Sequence, residues 1–235
     1  MLTEKDYKDG QILLIDKPLQ WTSFQVVNKL RWLIRKNFGI KKIKVGHAGT
    51  LDPLASGLLV ICTGKFTKRL QEFQGQIKEY TGTITLGATT PSYDLETEID
   101  QTFPIDHISE NNIEDATLGF IGEIEQYPPV FSALKKDGKR LYEYAREGEH
   151  VEVPPRNITI SEFEITRIQL PQIDFRVVCS KGTYIRSLAH DFGKTLKSGA
   201  HLTALRRTKI GSFSVDDAIT VQSFENQLQT KIETA

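Results

Sequence analysis

The chain is poor in sulfur. Two cysteines, Cys62 and Cys179, and a single methionine among 235 residues exclude a disulfide-stapled scaffold and a cysteine-rich metal site. Each cysteine ends an apolar, strand-like run, which reads as a small buried side chain. The histidines, His47, His107, His150, His190 and His201, show no paired metal-ligand spacing. No apolar run reaches about 18 residues, so no membrane-spanning helix is expected. The opening Met-Leu-Thr-Glu-Lys-Asp has no apolar signal region. These absences point to a soluble, cytoplasmic protein that holds no metal. Repeats, low-complexity tracts and evident linkers are missing too, and a hydrophobic content of 39% suits one large domain with an ample core.

Net charge is also absent, because 30 Lys and Arg balance 30 Asp and Glu. Taken alone, that disfavours a nucleic-acid partner. The distribution favours one. Lys29, Arg31, Arg35, Lys36, Lys41, Lys42 and Lys44 follow one another with no acid between them, whereas Asp94 to Glu125 holds ten acids and no Lys or Arg. Lys135, Lys136, Lys139, Arg140 and Arg146 form a second basic cluster, and Arg206, Arg207 and Lys209 a third. A polyanion responds to the local field and not to the sum. Any one cluster reads equally well as a solvated face; three flanking one loop favour RNA.

That loop is Gly46-His47-Ala48-Gly49-Thr50-Leu51-Asp52-Pro53-Leu54-Ala55-Ser56-Gly57, set between Val45 and the apolar run Leu58–Cys62. Its glycines permit a tight backbone path, and Pro53 both stiffens the turn and pushes Asp52 out of the helical region. By pattern alone Asp52 is either a turn-capping carboxylate or a catalytic group on a rigid loop. Burial would raise its pKa, so an ionised Asp52 needs a fixed cation. Arg186, one or two residues inside a helix expected to start near Thr183, is the candidate, since a helix N-terminus and a bidentate guanidinium both favour an anion.

The rest of the chain reads as α+β. Gln11–Ile15 reads as a strand ending at Asp16-Lys17-Pro18. Thr22-x-x-Gln25 forms a capping box ahead of Phe24, Val27, Leu30 and Ile34 at helical spacing. Strands are expected at 58–62, 80–86, 122–126, 158–168, 173–179 and 202–213. Helices are expected at 67–73, 113–120 and from 185 to at least 192, and the basic stretch 135–148 as loop plus helix. The expected architecture is a mixed, mostly antiparallel sheet flanked by helices.

The loop resembles the signature segment of the TruB family of tRNA pseudouridine-55 synthases, and the match extends further. Lys78-Glu79-Tyr80 resembles the family's basic-x-Tyr element, Lys181-Gly182-Thr183-Tyr184-Ile185-Arg186 its second active-site segment, and Leu205-Arg206-Arg207 its late strand. Tyr127–Lys135 and Tyr142–Gly148 are also similar, so the likeness runs from about 13 to 213. The resemblance implies the pseudouridine synthase fold with a central active-site cleft, and conversion of uridine 55 in the tRNA T-loop to pseudouridine. It implies Asp52 as nucleophile, Tyr80 stacked on a flipped-out uracil, Tyr184 and Leu205 as pocket walls, His47 stacking in the T-loop and Lys78 near the substrate. The reaction is an isomerisation, so no cofactor is expected. The expected partner is the T-arm of tRNA, with no membrane, no obligatory protein partner and a monomeric state. A single catalytic domain over 1–235 is expected, its core at about 10–213. The tail 214–235 is read as too short for the RNA-binding PUA module that many members carry. Two alternatives stay open. A non-catalytic RNA-binding protein would not need Asp52, Tyr80 and Arg186 together. A glycosidase would need a second carboxylate, and no pattern pairs Glu79 or Asp94 with Asp52.

Overall fold

The structure, a computed structural model, describes residues 2–149, 151 and 153–233. His150 and the last two residues of the expected tail lie outside the described residues. The chain opens with helix α1 (Glu4–Asp9), strand β1 (Ile12–Lys17), helix α2 (Ser23–Phe38) and strands β2 (Val45–His47) and β3 (Ala55–Thr63). A 3-10 turn (Gly64–Arg69), helix α3 (Leu70–Gln74) and strand β4 (Lys78–Leu86) follow. Strands β5 (Ala88–Thr89) and β6 (Gln101–Thr102) pair with each other, and helix α4 (Glu110–Leu118) and strand β7 (Gly122–Gln126) come next. A hairpin of β8 (Lys135–Lys136) and β9 (Lys139–Arg140) runs into helix α5 (Leu141–Arg146). The chain then forms β10 (Arg156–Gln169), β11 (Gln172–Cys179), helix α6 (Ile185–Thr195) and β12 (Ala200–Ile210). It finishes with β13 (Phe213–Ser214), β14 (Ile219–Thr220) and helix α7 (Val221–Glu233). Two compact units result, Met1–Tyr80 with Arg206–Ala235 and Thr81–Leu205, and the chain passes between them within β4 and β12.

In the first unit β1 runs antiparallel to β3 and parallel to β14, and β2 runs antiparallel to β3. Strand β3 is buried almost throughout, so it is apolar without alternation, as a strand covered on both faces must be. Leu59 and Ile61 join Ile15 and the α2 side chains Val26, Val27, Leu30, Leu33 and Ile34 in one core. Leu58, Val60 and Cys62 join Ala48, Phe73 and Ile210 in the other. Each such aliphatic side chain stabilises the fold by about 1.5–3 kcal/mol relative to exposure. Helix α2 begins at the expected capping box, with Thr22 and Gln25 satisfying each other's backbone N–H groups, and stops at Gly39 in the left-handed conformation, φ 63°. The segment read as a tail is structured. Ile219 pairs with Ile15, and Val221, Phe224 and Leu228 of α7 complete the α2 core.

In the second unit β10 pairs antiparallel with β11 and with β7. Ile173, Phe175, Val177 and Cys179 share a buried face, as their alternation predicts. Phe120, Phe163, Phe175 and Phe192 pack with tilted or edge-on rings 5.4–6.1 Å apart, which locks α6 onto the sheet. On β4, Gly82 is required by close approach, because a Cβ there would lie 2.4 Å from the Ala204 carbonyl oxygen. Most expected elements appear, with differences: the strand expected at 11–15 spans Ile12–Lys17, the helix expected at 67–73 divides into a 3-10 turn and α3, the strand expected at 202–213 ends at Ile210 and turns back into β13, and the loop expected ahead of α5 is the β8–β9 hairpin.

Candidate active site

In the first unit Asp52 sits, half-buried, on the loop between β2 and β3. The loop is fixed from several directions. The Ala48 amide donates to the Val60 carbonyl at 2.9 Å, and the Gln20 amide to the Pro53 carbonyl at 2.7 Å. Ser23, the first residue of α2, accepts from the Leu51 amide at 2.8 Å and donates to the Leu51 carbonyl at 3.0 Å. Ala48, Leu51 and Ala55 are buried plugs on either side of the acid. The Ala55 amide closes the turn onto the Asp52 carbonyl at 3.1 Å. The turn role open to Asp52 is therefore carried by its backbone carbonyl.

Arg207 is the largest fully buried side chain of the fold, at 1% exposure. Its Nε donates to the Leu58 carbonyl at 2.9 Å and its Nη2 to the Gly49 carbonyl at 3.1 Å, with Nη1 at the Thr50 carbonyl, 3.5 Å. One planar fork thus ties both arms of the Asp52 loop to β12. Its backbone packs so closely on Gly57, φ 102°, that a Cβ there would lie 2.3 Å from the Arg207 carbonyl oxygen. The sequence reading grouped Arg206 and Arg207 as RNA-facing charges. The structure corrects this: Arg207 is an internal clamp, and Arg206 makes a bidentate ion pair with Asp16 at 2.7 and 3.0 Å.

Lys17 was also missed. It is wholly buried, and its Nζ donates to the Pro18 and Trp21 carbonyls at 2.9 and 2.6 Å. Burial chiefly, and the Arg207 charge in addition, lower its pKa to about 8, against the opposing pull of the Asp52 carboxylate. The only trace in the sequence is a lysine closing an apolar strand just before a proline.

His47 pairs with Ile61 in the β2–β3 ladder. Its pKa is lowered, first by burial and also by Arg207, while the Gly49 backbone opposes the shift. Tyr80 lies on the buried face of β4 with Lys78. Lys78, a residue type usually exposed, is instead buried, and its Nζ donates to the Gln74 and Gln76 carbonyls at 2.5 and 2.6 Å. Asp52, His47, Lys78 and Tyr80 thus belong to the first unit.

Tyr184, Arg186 and Leu205 belong to the second unit. Tyr184 is the N-cap of α6; its amide donates to Gln126 Oε1 at 2.8 Å, its carbonyl accepts from Gln126 Nε2 at 3.0 Å, and the Arg156 guanidinium lies 5.4 Å from its ring centre. Arg186 is the second residue of α6, as expected, and is buried. It meets the equally buried Asp94 at 3.5 Å and donates to the Ser92 carbonyl at 3.2 Å. Sequence reasoning considered Asp94 only as a glycosidase acid; its place beside Arg186 left no local signal, because 92 residues separate the pair. Leu205 is partly buried near the middle of β12. Among the described residues no cluster of His, Cys, Asp and Glu could hold a metal ion.

Residues 35–185 match the family model described as TruB family pseudouridylate synthase, N-terminal domain, and 186–234 that of the tRNA pseudouridylate synthase B C-terminal domain. The chain belongs to the TruB family of pseudouridylate synthases. It is 66% identical to tRNA pseudouridine synthase B of Flavobacterium johnsoniae, over 97% of this chain and 100% of that one. With the protein of the same name from Phocaeicola vulgatus it shares 58% identity, over 97% of both. Among solved structures, a chain of a Cbf5-Nop10-Gar1 complex superposes with a TM-score of 0.72 and 31% identity, over 96% of this chain and 56% of that chain. A chain of an archaeal box H/ACA Nop10-Cbf5 complex superposes at 0.70, with 27% identity, over 98% of this chain and 57% of that one. The α+β fold is the pseudouridine synthase fold, and this family member is an enzyme.

Proposed function

We propose that this synthase converts uridine 55 in the T-loop of tRNA to pseudouridine, with Asp52 as its nucleophile. The observation that carries the proposal is a single half-exposed carboxylate on a loop held by the Arg207 fork and by Ser23. Near-complete coverage by relatives named for tRNA supports the substrate class. The reaction breaks the bond from C1′ to N1, turns the uracil and joins C1′ to C5. The C5 proton is lost and N1 gains one, so substrate and product are isomers and no cofactor is consumed. A carboxylate suits this work, being able to attack C1′ or C6 and then to leave.

By the family resemblance Arg186 is assigned as the cation of the reaction, and Asp94 holds its guanidinium in orientation. By the same resemblance Tyr80 is assigned to stack on the extruded uracil, Tyr184 and Leu205 to contact the substrate, and His47 to stack in the loop the base has left. Lys78 supports the strand that carries Tyr80. The enzyme is assigned to the cytoplasm and to the monomeric state, as one catalytic domain. The test is to incubate unmodified tRNA transcript with the enzyme and map pseudouridine by carbodiimide adduct and primer extension. Modification at position 55 is expected; modification elsewhere, or none, would refute the proposal.

A further inference from the structure

Between Asp16 and Asp52 the chain carries eight Lys and Arg and no carboxylate. The fold turns this stretch into a surface. Helix α2 buries Val26, Leu30, Leu33 and Ile34 and leaves Trp32, Arg35 and Lys36 exposed. Past Gly39, Ile40 and Ile43 are buried, which leaves Lys41, Lys42 and Lys44 in solvent. Lys29 is neutralised by Glu225 of α7 at 2.8 Å. Among the described residues no ion pair includes Arg31, Arg35, Lys36, Lys41, Lys42 or Lys44. Six uncompensated cations on one short stretch of a chain with zero net charge favour an anionic partner.

Trp32 shows which kind. It is 50% exposed, and an open indole would suit base stacking. However, Lys29 Nζ and Lys36 Nζ lie over the ring, 5.2 and 4.9 Å from its centre. The aromatic surface is thus spent on propping ammonium groups. Such a surface reads phosphate charge and not base identity. It is also tied to the Asp52 loop within its own unit: Ser23 at the start of α2 bonds Leu51, and Arg31 Nη2 donates to the Val45 carbonyl at 3.0 Å, at the head of β2.

We propose that α2 and the 39–44 connection form a phosphate-binding surface for the double-helical stem adjoining the target base. At about 1.5 Å per residue, a helix of 16 residues is roughly 24 Å long, so this surface follows a stem well beyond the loop. The proposal rests on an RNA substrate for the Asp52 site, and its test separates the two.

Binding of a T-arm hairpin with its full stem and of one cut to a minimal stem is measured by fluorescence anisotropy between 50 and 200 mM salt, without reference to turnover. The wild-type enzyme should bind the long stem more tightly. Combined substitution of Lys36→Ala, Lys41→Ala and Lys42→Ala should weaken long-stem binding about ten- to a hundredfold and reduce the salt exponent by about two to three. It should also abolish the preference for the long stem. The matched Lys36→Arg, Lys41→Arg and Lys42→Arg variant should bind like wild type, because charge and not side-chain identity is needed. An alanine variant with the wild-type affinity and salt exponent would overturn the proposal and point to an acidic protein as occupant. Equal losses on both hairpins would overturn it as well. Absence of pseudouridine with stem-dependent binding intact would count against the reaction and leave this surface standing.

Discussion

A buried guanidinium does at Arg207 what a loop cannot do for itself. The loop around Asp52 exposes carbonyls at Gly49 and Thr50 that no strand partner satisfies, and one planar fork takes them together with Leu58. Arg207→Lys keeps the charge but loses the fork, and leaves at least one buried carbonyl unpaired at a cost of about 1–3 kcal/mol. Urea unfolding should show that loss, and turnover should fall further than stability explains because the Asp52 carboxylate is no longer held. Wild-type turnover in a destabilised variant would sever the clamp from catalysis. Residue type and spacing made the tight loop around Asp52, ahead of an apolar strand, and the helical position of Arg186 legible in the sequence. The same reasoning misjudged Arg207, Lys17 and Lys78, since all three are cations whose usual place is solvent and whose burial depends on carbonyls assembled only in the fold.

At the level of elements, what was readable was local. The Thr22–Gln25 capping box starts α2 where expected because both partners lie within one turn. The alternation in β11 and the amphipathic spacing of α6 were equally plain. The two-residue strand β14 was not, because a segment of that length leaves no periodic pattern, and its pairing partner lies some 200 positions earlier in β1. Helix α7 does carry apolar residues at helical spacing, Val221, Phe224 and Leu228, but its helical fate becomes compelling only against the apolar side of α2 that it helps to bury. The β3–β12 contact gives a sharp test. Gly57→Ala places a methyl 2.3 Å from the Arg207 carbonyl oxygen at a backbone φ of 102°. The left-handed conformation alone costs about 1–2 kcal/mol, and the clash adds to it. The expected result is a drop in thermal midpoint of several degrees; an unchanged midpoint would show that the two strands separate freely.

For the whole molecule, a zero net charge conceals an acidic stretch and a basic one, and the basic one adjoins the loop that carries Asp52. Among the described residues no helix is long and apolar enough to cross a membrane. Stability should vary with pH through His190, whose ring stacks on Tyr93 at 3.8 Å. Burial, and then Lys194, lower its pKa from 6.5 to about 4. Between those values the unfolded chain binds the proton and the native state does not, so stability is greatest above pH 6.5 and falls as the pH drops toward 4. Burial raises the pKa of neighbouring Asp191, so its protonation offsets part of that fall at the acid end. In urea titrations at stepped pH, His190→Gln should flatten the curve over this window; a variant with the wild-type slope would place the dependence elsewhere.

The assignment of Asp52 is tested most directly by single-turnover release of tritium from C5 of the target uridine in a T-arm hairpin. Wild-type enzyme should release about one equivalent per hairpin. Asp52→Asn should slow release by about a thousandfold or more while still binding the hairpin. Release at the wild-type rate from Asp52→Asn would contradict the account.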